Sequence, residues 1–167
     1  MNKSTVWYII SFVVIVLIQI LLMNNIQFSG FINPYFYILF IILLPINIPS
    51  YILLILGFVL GITIDIFSNT PGIHASATVF VAFIRPFIIN SYNLDDKEKM
   101  LIPSISNIGV KWFIKYVVIM ILAHHLFLFY IEVFSFSGFL LTLMRCFLSS
   151  IFTFVFILIS QFIIFRK

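Results

Sequence analysis

Six apolar runs, each closed by a turn signal, leave this chain few ways to fold. They cover residues 6–23, 31–46, 51–67, 72–90, 112–131 and 138–165. A helix needs roughly 20 predominantly apolar residues to cross a bilayer, with a range of about 17–25. Five runs meet that length. The second is short and ends in a proline-rich turn between Pro45 and Pro49. Asn24-Asn25, Asn33-Pro34, the stretch from Ser68 to Pro71 and residues 135–138 punctuate the rest. The pattern predicts an all-α, polytopic membrane helix bundle with six transmembrane helices, or five if the second run is re-entrant. Residues 1–167 read as a single transmembrane domain, and residues 91–111 as its long cytoplasmic loop.

Composition removes the alternatives. Hydrophobic residues make up 63% of the chain and charged residues 8%, against about 25% charged in a soluble domain. With 22 phenylalanines, a water-facing surface could not be assembled. The single cysteine, Cys146, excludes an intrachain disulfide framework and a cysteine-based zinc site. The first run follows Lys3 and lacks a small-residue cleavage site, so it reads as a retained span rather than a signal peptide. The net charge of +4 is not a nucleic-acid footprint, because the basic residues sit at segment ends.

Those basic residues set an orientation. With six spans, Lys3, Lys97, Lys99, Lys111, Lys115, Arg166 and Lys167 all fall on one side, and the opposite loops hold no Lys or Arg. Excess Lys and Arg marks the cytoplasmic side, so both termini are expected there. Within the loop, residues 100–111 read as an amphipathic surface segment carrying Leu101, Ile102, Ile105 and Ile108, although Pro103 interrupts it.

Few residues inside the runs could carry chemistry. Gly57, Gly61 and Asp65 follow one another at four-residue spacing and share one helix face. The glycine pair lets another helix backbone approach, and close packing within the chain is favoured over homodimerisation. Asp65 is the only acid inside a run. Such a carboxylate is expected to face the bundle interior and to find a partner, or else to cap the turn that follows. Arg145, placed against the positive-inside pattern, pairs with Asp65 or Glu132 in this reading, Asp65 being preferred for its depth. Arg85 is expected to snorkel to the cytoplasmic headgroups. His124 and His125 are adjacent and point about 100° apart on a helix, so both cannot easily bind one metal. No metal site, cofactor fingerprint or nucleophile elbow is found, and an enzyme is not expected.

The segment from Gly57 to Ala75 resembles the rod shape-determining MreD family. The likeness lies in a glycine-bearing helix that ends in Asp65, a short turn with Pro71 and Gly72, and His74-Ala75 opening the next helix. It covers about residues 31–90, and the flanks agree in length and hydropathy. The resemblance implies a non-catalytic multi-pass protein of the bacterial inner membrane that supports cell shape and peptidoglycan synthesis. Its partners would be an MreC-like bitopic membrane protein and, indirectly, an MreB-like actin homologue and the peptidoglycan synthases. It carries no cofactor. Gly57, Gly61, Asp65, Pro71, Gly72, His74 and Arg145 are the expected structural or partner-interface residues. The family is also similar in fold to the substrate-binding subunits of energy-coupling-factor vitamin transporters, which supplies a competing function. Few polar groups stand in the outer loops, which favours the scaffold reading.

Overall fold

Long apolar runs become long helices here because a helix satisfies its own backbone where water is absent. The computed structural model describes residues 3–26, 32–92, 94, 101–134 and 138–164. Among them every regular element is helical: α1 (Lys3–Leu21), α2 (Ile38–Ile42), α3 (Ser50–Ser68), α4 (Ile73–Asn90), α5 (Ile105–Ile108), α6 (Val110–Val133) and α7 (Phe139–Ile164). Five of these, α1, α3, α4, α6 and α7, are long and apolar enough to cross a membrane. Their outward faces carry exposed side chains such as Ile10, Ile55, Phe58, Leu140 and Phe162. Apolar surface on that scale marks contact with lipid or protein rather than water.

The second apolar run departs from expectation. It does not form a sixth long helix; only Ile38–Ile42 is helical. Prolines explain the break. Pro34 and Pro45 stand inside the run, one on each side of Ile38–Ile42, and the residue before a proline is driven toward extended backbone. Extended chain covers about 3.3 Å per residue against 1.5 Å in a helix, so a short segment still reaches through much of the bundle. Its start lies beside Gln19, toward the end where Asn24 meets Ser68. Its finish lies beside Tyr8 and Pro45, near the start of α3. The segment therefore runs antiparallel to α1. Every residue from Tyr35 to Leu44 is buried, and the long helices surround it.

A broken segment at this depth leaves backbone groups without helical partners, and each orphan costs several kcal/mol in hydrocarbon. Polar side chains from four helices answer them. Gln19 of α1 receives a bond from the Tyr37 N–H at 3.1 Å and donates to the Pro34 carbonyl at 3.1 Å. On α7, the Thr153 hydroxyl accepts from the Tyr35 N–H at 3.0 Å and the Ser149 hydroxyl from the Asn33 N–H at 3.1 Å. Tyr116 of α6 donates to the Ile42 carbonyl at 3.2 Å. Arg85 of α4 donates through Nη1 to the Pro45 carbonyl at 3.2 Å, through Nη2 to the Leu44 carbonyl, and through Nε to the Tyr116 hydroxyl at 2.8 Å.

Arg85 therefore does not snorkel. It is 1% exposed and each of its three guanidinium nitrogens donates a bond, because the carbonyl end of α2 offers partial negative charge inside the bundle. The 100–111 segment also differs from expectation. Ser104 caps the four-residue helix α5 by accepting from the Asn107 N–H at 3.2 Å, and Gly109, at φ 97°, separates it from α6. Residues 95–100, 166 and 167, which carry much of the charge used for orientation, lie outside the described residues.

If these side chains hold the broken segment, their loss should scale with the acceptors abandoned. Thr153→Val should cost about 1 kcal/mol, as one interhelical bond does in a membrane protein. Arg85→Leu should cost at least about 3 kcal/mol, since it strands several buried acceptors at once. Reversible unfolding in detergent micelles measures both. Equal losses would refute the clamp.

Candidate functional site

The α3–α4 hairpin gathers the residues on which the family resemblance rests. Along α3, Gly57, Leu60, Gly61, Ile64 and Asp65 form the buried stripe. It lies against α4 at a separation only glycine allows. A Cβ at Gly61 would stand 2.2 Å from Thr78 Oγ1, 2.4 Å from Ala75 Cα and 2.6 Å from the His74 carbonyl oxygen. At Gly57 the nearest atoms would be 3.1 Å away. The close approach also places Thr78 Oγ1 2.8 Å from both the Gly57 and His74 carbonyl oxygens, so one hydroxyl serves two helices.

The turn between the helices is set by backbone conformation. Asn69, at φ 55°, ends α3 in the left-handed region, and its N–H returns to the Asp65 carbonyl. Gly72, at φ 83°, precedes α4. A Cβ there would meet nothing, so the requirement is conformational rather than steric. The turn brings the first residues of α4 under the Asp65 side chain. Asp65 Oδ1 accepts from the His74 N–H at 2.9 Å, and Oδ2 from the Ala75 N–H at 2.9 Å. The Thr70 hydroxyl donates to Oδ1 at 2.9 Å, and His74 Nδ1 lies 3.0 Å from the same oxygen. Asp65 is 3% exposed. A carboxylate of one helix thus caps the N-terminus of the next, where orphan N–H groups and the helix dipole both favour negative charge.

This arrangement corrects the expected Asp65–Arg145 pair. Arg145 Nη2 lies 3.5 Å from Glu132 Oε1, and its guanidinium sits 4.8 Å from the Phe129 ring centre. The reason is proximity along the chain. Arg145 and Glu132 lie near the facing ends of the α6–α7 pair, whereas the Asp65 oxygens are occupied by donors five to ten residues away.

Deeper in the bundle, Tyr37 Oη lies 2.7 Å from His124 Nε2, and His125 Nε2 lies 3.1 Å from Thr153 Oγ1. Tyr35 packs edge-on to the rings of His74, His124 and His125. Among the described residues no three His, Cys, Asp or Glu side chains converge as metal ligands. Above this cluster, at the Asp65 end, lies a pocket of about 290 Å³ whose lining includes Asn24, Asn33, Tyr35, Ser68, His74 and Glu132. Sequence reasoning saw few polar groups at this end, because they come from separate helix ends and meet only on folding. It also passed over Gln19, Ser149 and Thr153. The available signal was a polar residue standing inside an apolar run. No family model, curated protein or solved structure matches the chain.

Two measurements test the hairpin. In double-mutant comparisons, Asp65→Ala and His74→Ala should couple by about 0.5–3 kcal/mol, whereas Asp65→Ala and Arg145→Ala should add within about 0.5 kcal/mol. Strong coupling of the second pair would restore the rejected contact. Separately, Gly61→Ala should lower stability by about 1–3 kcal/mol through overpacking against backbone, and Gly57→Ala by less. Thermal melting of the purified variants gives the order.

Proposed function

We propose that this protein is a non-catalytic membrane component of the bacterial cell-elongation machinery, of the rod shape-determining MreD type. One observation carries the reading. The residues that bear the resemblance, Gly57, Gly61, Asp65, Gly72 and His74, all serve to fix one tightly packed hairpin. Their chemistry is that of a rigid helical surface rather than of bond making. In this reading the protein sits in the cytoplasmic membrane with both termini in the cytoplasm. It docks a bitopic partner of the MreC type against its apolar helix faces, where van der Waals packing is the main attraction between helices. Through that partner it supports MreB-like filaments and peptidoglycan synthases.

A second reading has its own support. The pocket at the Asp65 end is the kind of feature a substrate-binding subunit of an energy-coupling-factor vitamin transporter requires. Its volume of about 290 Å³ stands at the lower edge of small-molecule sites.

Depletion in the native cell separates the two. The elongation role predicts loss of rod shape and recovery of a single-span partner by co-purification from mild detergent. A growth defect relieved by an external vitamin, with cell shape unchanged, would overturn it in favour of transport.

A further inference from the structure

The pocket at the Asp65 end has chemically defined walls. His74 Nδ1 lies 3.0 Å from Asp65 Oδ1. Two bare acceptors would repel at that distance, so the hydrogen is assigned to Nδ1, which donates to the carboxylate. The opposite ring nitrogen, Nε2, is then a lone-pair acceptor. His74 is 5% exposed, lines the pocket, and has no donor to Nε2 among the described residues.

Glu132 lines the same pocket. Its contact with Arg145, at 3.5 Å, involves Oε1. A carboxylate has about four lone-pair positions, so room remains for a second donor. Among the described residues no Lys or Arg lines the pocket. Among the described residues the charged side chain lining this space is Glu132, with the Arg145 guanidinium 3.5 Å from it and the capped Asp65 behind His74. Tyr35 and Phe67 add aromatic surface, which attracts cations through the ring face.

We infer that this pocket binds a compact organic cation bearing an ammonium or guanidinium group. Glu132 supplies the counter-charge, and His74 Nε2 accepts a hydrogen bond from the cation. Asp65 is a positioning residue, since it holds His74 in the tautomer that presents an acceptor. An anion would meet the Glu132 carboxylate and an imidazole lone pair. A neutral polyol would bring no positive charge to the open lone pairs of Glu132. The cation can be a free small molecule or the basic side chain of a partner protein; both present the same group. The inference stands apart from the elongation role, because cell shape on depletion does not report on this pocket.

The test uses the full chain in lipid nanodiscs with three probes: methylguanidine, its neutral analogue methylurea, and the tripeptide Gly-Arg-Gly. Calorimetric titration should give saturable binding of at least one cationic probe, at least tenfold tighter than methylurea. Glu132→Gln, checked for an unchanged melting transition, should weaken it at least fivefold. Independently of any variant, the ¹⁵N resonance of His74 Nε2 should move on titration with the bound cation and stay still with methylurea. Tighter binding of the tripeptide would identify the source as a protein side chain, and tighter binding of methylguanidine a free cation. Absence of saturable binding by either cation, equal binding of methylurea, or an unmoved Nε2 resonance would overturn the proposal.

Discussion

The structure depends on satisfying the backbone of a segment that is neither helix nor strand. Between Asn33 and Pro45 the chain passes through the bundle with a helix of only five residues. Every unpaired N–H and C=O on this path must find a partner inside the protein. The arrangement of the surrounding helices follows from that need. Gln19, Arg85, Tyr116, Ser149 and Thr153 come from four different helices, and each contributes a bond to this one stretch of backbone. These five core residues are therefore not scattered accidents, because their bonds converge on one stretch of backbone. They replace the hydrogen bonds that a sixth long helix would have made for itself.

The α3–α4 hairpin solves a related problem by a different route. Two long helices meet across a short turn, and the His74 and Ala75 N–H groups that begin α4 belong to buried residues. Asp65 reaches over the turn and takes them, while Gly57 and Gly61 let the helices close until Thr78 touches the carbonyls of both. Cap and close contact depend on each other. With a side chain at Gly61, α4 would be pushed away from α3, and the Asp65 carboxylate would lose its geometry toward His74 and Ala75. The same cap fixes the His74 ring at the edge of the pocket, which ties packing to any binding there.

Much of this was legible in the sequence. Five of the apolar runs became long helices with bounds close to those expected, because length and hydropathy alone decide what can cross a bilayer. The shared face of Gly57, Gly61 and Asp65 was legible too, since four-residue spacing fixes a stripe wherever the helix forms. Arg145 and Arg85 were read less well. Depth along a helix says which residues lie at one level but not which helix stands alongside. Arg145 therefore had two acids to choose from, and the folded chain gave it Glu132. Arg85 could have reached the headgroups, yet the folded chain sets the Leu44 and Pro45 carbonyls within its reach.

What the sequence by itself determined was the medium and the elements: a helical bundle for an apolar environment, broken where prolines fall, with one acid and two glycines on a common stripe. Those features are local, set by residue type and spacing along a single helix. What only the tertiary structure decided was which polar groups meet. Asn24, His74 and Glu132 lie far apart in the chain and become neighbours at one end of the bundle. Helix order and rotation are fixed by packing and by the demand of the broken segment for hydrogen bonds. Neither is a property of any one run of residues.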